Sequence, residues 1–172
     1  MTGLRVDGLS LAYGSMVVLA DVGIEVASGE LVVITGEDGC GTTSLLQLLP
    51  GTLLAAPPGT EWSPAQIVEA SAALTALGAD HLVGRRLEIM SNGERQRVRL
   101  ARLLSGDHQV LLLDEGLGYL DQAGVMRTLR LLRSAADAGA AVLLVAKGEQ
   151  RAYDAADRVL RLESGRLFPS GA

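Results

Sequence analysis

The sequence is poor in cysteine and in lysine, with one of each, and it has no apolar run long enough to span a bilayer. With Cys40 alone, no intramolecular disulfide can form, and a reducing compartment is expected. The longest apolar stretch, Ala138 to Ala146, falls far short of the ~20 residues that a spanning helix needs. Residues Met1 to Asp7 carry no hydrophobic leader, so the expectation is a cytoplasmic protein that reaches a membrane face only through a partner. Charged residues make up 20% and hydrophobic ones 48%, which excludes a disordered chain. A net charge of −5 argues against nucleic acid as a partner. The 172 residues fit one domain over 1–172, with no internal repeat.

The order of elements predicts an α/β fold. Leu4 to Leu11 and Gly23 to Val26 read as short antiparallel strands near the N-terminus. Leu31 to Thr35 is a continuous β-branched and apolar run, as in a strand buried on both faces. A glycine-rich turn, Gly36 to Gly41, follows, and then a helix through Leu49 stopped by Pro50-Gly51. Residues 51–62 read as a loop, and Ser63-Pro64-Ala65-Gln66 as a capping box opening a helix to about Leu77. Ser91-Asn92-Gly93-Glu94 is a second capping box, starting a helix to about Leu104. Val110 to Leu113 and Ala141 to Ala146 are further buried strands around a helix at Asp121 to Ala138, and Val159 to Leu167 suggests a terminal hairpin. Strands alternating with helices imply a mainly parallel sheet with flanking helices.

Gly36-Glu37-Asp38-Gly39-Cys40-Gly41-Thr42-Thr43 has the frame of a phosphate-binding loop, G-x-x-x-x-G-K-[ST], with threonine in place of lysine. Glycines let backbone N–H groups turn inward, and the following helix offers its positive end to an anion. Thr43 keeps a hydroxyl for Mg²⁺, whereas Thr42 supplies no ammonium. A charge-assisted hydrogen bond to phosphate is worth roughly 1.5–3 kcal/mol, and a threonine here forgoes it.

Further motifs follow in order. Leu11-Ala12-Tyr13-Gly14 with Ser28-Gly29-Glu30, Met90 to Val98, Leu111-Leu112-Leu113-Asp114-Glu115, Tyr119-Leu120-Asp121 and Ala156-Asp157-Arg158-Val159-Leu160 together resemble the ATP-binding cassette family. The resemblance implies a P-loop NTPase-type domain with a reduced helical subdomain, ATP and Mg²⁺ as ligands, and a second cassette and a transmembrane permease as partners. It also assigns roles. Tyr13 would stack on adenine, while Gly36, Gly39, Cys40, Gly41, Thr42, Thr43 and Ser44 would surround the phosphates. Thr43 and Asp114 would hold Mg²⁺, and Glu115 would be the general base. Ser91, Asn92 and Gly93 of the signature, with Asp121 of the D-loop, would touch ATP across a dimer interface. Asn92 replaces a glycine, and asparagine tolerates the positive φ that such a turn could require.

The departures from the family are specific. The switch histidine position holds Lys147, the only lysine beside fourteen arginines. Two readings follow: a cation relocated to offset Thr42, or drift in a cassette not selected for turnover. The second is the expectation. The insert over 51–90 is shortened, and neither Gln47 nor Gln66, both in predicted helices, is assigned as the Q-loop glutamine. Gly116-Leu117-Gly118 stands where the family has Pro-Thr-Ser and predicts a looser segment. Arginine stripes at Arg95, Arg99, Arg102 and at Arg127, Arg130, Arg133 read as solvated helix faces. The functional expectation is a degenerate ATP-binding subunit lending its signature to an intact partner. The alternatives are a non-transport regulatory module and a weak self-sufficient ATPase.

Overall fold

The computed structural model describes residues 2–50, 52–53, 64–106 and 108–170. The chain opens with β1 (Thr2–Tyr13) and β2 (Met16–Ala27), then β3 (Leu31–Gly36) and α1 (Thr42–Leu48). Next come β4 (Thr52–Leu53), α2 (Pro64–Ala76), α3 (Asn92–Leu104) and β5 (Val110–Asp114). The remainder is α4 (Gln122–Asp137), β6 (Ala141–Val145), α5 (Gln150–Ala155), β7 (Arg158–Glu163) and β8 (Arg166–Pro169).

Six strands form one sheet in the order β4-β5-β6-β3-β7-β8, parallel except for the β7/β8 hairpin. Period-two alternation divides its side chains between two cores. Val32, Ile34, Leu112, Leu143 and Val145 pack with α1 and the β1/β2 hairpin, through Leu45, Leu46, Leu19 and Ile24. Leu31, Val33, Leu111, Leu113, Val142 and Leu144 pack on the other face with α2, α3 and α4. Both faces are covered, which is why β3 and β6 read as unbroken apolar runs. On α4 the buried stripe is Val125, Leu129 and Leu132, as the helical period predicts.

Several expectations are corrected here. The N-terminal strands are not two short segments but one long hairpin, closed at Gly14-Ser15, where Gly14 has a φ of 62°. Polar Asp7, Ser10 and Asp21 hid its length, because the outer face of this ribbon is open to water. Part of the predicted loop at 51–62 is the strand β4, whose backbone pairs with Leu111 and Leu112 of β5. Ser63 of the proposed cap, and the rest of 54–63, lie outside the described residues. Helix α5 is not legible in the sequence; six residues are too few to show a period.

Neither arginine stripe is merely a solvated face. Arg95 donates to the carbonyls of Leu87 and Glu88, and Arg127 to that of Leu77. Arg133 donates to Asp137, Asp157 and the Gly29 carbonyl, tying α4 to the edges of β3 and β7.

Candidate functional site

The parallel strands β3, β5 and β6 end on one side of the sheet, and the loops leaving them build the site. After β3 the chain turns through Gly36 to Gly41 into α1. A side chain at Gly36 would place its Cβ 2.6 Å from Cys40 Sγ and 2.7 Å from the Leu162 carbonyl oxygen. Gly41 is left-handed at φ 101°, and a Cβ there would lie 2.7 Å from a Val18 methyl. Both positions therefore require glycine, one for contact and one for conformation. Gly39 also has positive φ, at 78°, facing open space. Cys40 is half-buried, and its N–H donates to the Glu37 carbonyl within the turn. Thr42 is buried at 3% exposure, while Thr43 on the next position of α1 is exposed and Ser44 half-buried. Gln47 is on the exposed face of α1.

After β5, Asp114 carries a carboxylate oxygen, Oδ1, that is buried and without a hydrogen-bond partner. A buried orphan acceptor is costly unless a ligand completes it, which fits Asp114 as a holder of a hydrated metal ion. Glu115 follows at φ 48°, a left-handed conformation unfavourable for glutamate that persists only where the surroundings enforce it. The enforcing contacts are clear. The Gly118 N–H donates to the Glu115 carbonyl, and buried Gln96 of α3 donates its amide to the Gly116 carbonyl at 2.9 Å. Gly116-Leu117-Gly118 is thus an anchored turn rather than a loose segment, with Leu117 packed in the core.

After β6 comes Lys147. Its ammonium lies 2.9 Å from Asp38 Oδ1 of the glycine-rich turn and 2.9 Å from Glu115 Oε1. A quarter of the Lys147 side chain is exposed. The hydrogen bonds to Glu115 and then Asp38 hold its pKa above the ordinary lysine value. The Lys147 hydrogen bond correspondingly holds the Asp38 carboxyl below the usual carboxylate range. These three residues rim a cleft of about 410 Å³, floored by Leu117, Leu120 and Val145.

Tyr153 of α5 is a residue that motif reading missed. Its hydroxyl shares a 2.9 Å hydrogen bond with Thr35 Oγ1, accepts from the Gly148 N–H at 2.9 Å and donates to the Ala146 carbonyl at 3.3 Å. It therefore grips both neighbours of Lys147 and the residue before Gly36. No motif signals this, and the contact with Thr35 joins segments more than a hundred residues apart.

The second constellation is the start of α3. Ser91 Oγ accepts from the Glu94 N–H, and the Glu94 carboxylate accepts from the Ser91 N–H at 2.8 Å, a complete capping box. Those bonds hold the Glu94 carboxyl below its ordinary pKa. Asn92 does not take the positive φ that its sequence context suggests; it is simply the first helical residue. A Cβ on Gly93 would lie 2.9 Å from the Tyr119 carbonyl oxygen, so the helix start packs against the turn before α4. Asp121 caps α4 by accepting from the Gly124 N–H, and the same oxygen accepts from Arg97 of α3. Tyr13 pairs with Met16 at the tip of the β1/β2 hairpin and is 60% exposed. Among the described residues no helix is long and apolar enough to cross a membrane.

A parallel sheet with a glycine-rich turn between β3 and α1, and an acidic pair ending β5, defines an α/β domain of the P-loop NTPase type. Comparison with known proteins carries this further. A family model described as "ABC transporter" matches residues 59–118, which include the start of α3 and all of β5 but not the turn at 36–41. The hemin import ATP-binding protein HmuV of Pseudomonas putida is 34% identical, with 95% of this chain and 84% of that protein covered. The zinc import ATP-binding protein ZnuC of Roseobacter denitrificans is 33% identical, with 94% and 76% covered. A solved ATP-binding subunit of an ABC transporter superposes with a TM-score of 0.83 at 18% identity, covering 97% of this chain and 89% of that one. The chain belongs to the family of ABC transporter ATP-binding subunits. The alignment with the hemin import protein runs over 216 residues, longer than these 172, so that relative has residues without a counterpart here.

Proposed function

We propose that this chain is the degenerate ATP-binding subunit of an ABC import system, paired with an intact cassette. It would lay the N-terminal end of α3, at Ser91, Asn92 and Gly93, with Asp121 beside it, against ATP held by the partner's loop. One contrast carries the reading: the capping box of α3 is complete, whereas the chain's own loop has Thr42 where the phosphate-binding cation belongs. The start of a helix presents unpaired N–H groups and a positive dipole end, which suits a terminal phosphate. The relatives named above and the aliphatic sulfonates import ATP-binding protein of Streptomyces avermitilis serve different cargoes, so what they share is ATP binding in import. A permease at the cytoplasmic face of a membrane is the further partner this implies.

In the chain's own site, Gly36, Gly39, Cys40, Gly41, Thr42, Thr43 and Ser44 would surround the phosphates of ATP, and Tyr13 would meet the adenine. Thr43 and Asp114 would hold Mg²⁺, which when bound supplies charge neutralisation for the phosphates. Glu115 would be the general base, but its carboxylate lies 2.9 Å from the Lys147 ammonium, so turnover at this site should be negligible.

The test is a complex purified with its partner cassette. Ser91→Arg puts a bulky group at the helix start and should abolish the ATPase of the complex, while Thr42→Ala and Lys147→Ala leave it nearly unchanged. The reverse order would overturn the proposal. The shortened connection between α1 and α3 favours a second reading, a regulatory module without a permease. That reading takes over if no second cassette co-purifies.

A further inference from the structure

Lys147 departs from an ordinary surface lysine in three ways. It is fixed along its backbone: the Ala146 N–H donates to the Ile34 carbonyl at 3.0 Å, and Tyr153 grips Ala146 and Gly148 on either side. Its ammonium reaches back to the glycine-rich turn, 2.9 Å from Asp38. It also reaches Glu115, so it stands between the turn that would receive phosphates and the carboxylate placed to act on them.

We propose that Lys147 is the phosphate-facing cation of this chain's own loop, supplied from the end of β6 in place of the missing loop lysine, with Tyr153 as its positioning residue. The ligand class is a nucleoside triphosphate, so the inference rests on the reading of this loop as a nucleotide site. Two carboxylates take two of the three N–H donors of the ammonium, leaving the third for a phosphate oxygen. Parallel β3/β6 pairing, with Ile34 beside Val145, brings the end of β6 next to the turn. A side chain as long as lysine can cover the remaining gap from there. The arrangement also implies weak affinity. One cation between two carboxylates leaves a net negative rim, and a phosphate taking the third donor would lie close to the Asp38 carboxylate, which is 97% exposed.

Titration calorimetry of the isolated chain with Mg-ATP and Mg-ADP tests this. Asp38→Asn should tighten ATP several-fold by freeing the ammonium and removing a negative charge. Adding Lys147→Ala to Asp38→Asn should then weaken ATP roughly ten- to a hundredfold, with a much smaller effect on ADP, as the removal of one charge-assisted bond implies. Tyr153→Phe, which removes only the hydroxyl, should weaken ATP several-fold in the natural chain and have no further effect once Lys147 is alanine. If Lys147→Ala leaves ATP unchanged or tightens it in the Asp38→Asn background, the lysine is a closing latch and the proposal fails. A Tyr153→Phe effect that persists without Lys147 would show that the tyrosine does not act through it. The absence of ATP binding by every variant also overturns the inference. The signature-donation proposal fails separately, on the ATPase of the complex.

Discussion

The Lys147 ammonium lies 2.9 Å from a carboxylate oxygen of Glu115, so the lysine ending β6 is bonded to the second of the acidic pair ending β5, the residue proposed above as general base. A carboxylate oxygen bonded to a cation is not free to hold and orient a water. Glu115 also holds a left-handed backbone, at φ 48°.

This bears first on turnover. The isolated chain should bind ATP weakly and show no magnesium-dependent hydrolysis that Glu115→Gln removes. A working enzyme of this kind turns over at about 1 s⁻¹ or faster. A steady-state phosphate-release assay on the natural and Glu115→Gln chains checks this, and a Glu115-dependent rate of that order would contradict it.

Thr42→Lys should tighten nucleotide by about tenfold or more, the value of one charge-assisted hydrogen bond. Thr42 is buried, so a lysine there must extend out to the open side of the turn, where a Cβ on Gly39 would meet nothing within 4 Å. Hydrolysis should not return, because Glu115 remains bonded to Lys147. Calorimetry and the phosphate assay on the same protein read the two outcomes.

Gly36→Ala should lose about 1–3 kcal/mol of stability, the usual cost of overpacking. The new Cβ would meet Cys40 Sγ at 2.6 Å and the Leu162 carbonyl at 2.7 Å, and the second of these is backbone of the neighbouring strand β7. Gly39→Ala meets nothing within 4 Å, and its only cost is a positive φ, so it should be the milder change. Urea unfolding of both variants compares them.

Acid sensitivity should trace to the helix caps. The Ser91 bonds lower the Glu94 carboxyl, and the Gly124 N–H lowers Asp121. A carboxyl depressed on folding adds stability that is fully present above its unfolded pKa, ~4. That stability is lost as pH falls through the lower folded value. The melting temperature should therefore decline below about pH 4, and Glu94→Gln should flatten that decline while lowering the plateau at neutral pH. An unchanged acid limb in Glu94→Gln would remove Glu94 from the account.

Local chemistry accounts for what could be read along the chain. The capping box at Ser91, the glycine frame of 36–41 and the apolar runs of β3, β5 and β6 all depend on residues within a few positions of one another. Helix caps, tight turns and strand burial leave their mark at such spacings. The order of these motifs, strand–turn–helix and then capped helix–strand–acidic pair, was enough to place the chain in an α/β architecture and to mark Thr42 and Lys147 as departures.

What lay beyond reach was every relationship that depends on two distant segments meeting. The two-residue strand β4 exists only because β5 offers it a free edge, and the length of the β1/β2 hairpin comes from pairing rather than from an apolar pattern. Arg133 looked like a solvated charge until α4 lay against Gly29 and Asp157. Most of all, the sequence determined that position 147 holds a lysine, but only the parallel packing of β3, β5 and β6 decided what that lysine meets. Strand ends that are remote in the chain emerge on one edge of the sheet, and there a single ammonium can reach both Asp38 and Glu115 while Tyr153 holds its backbone in place.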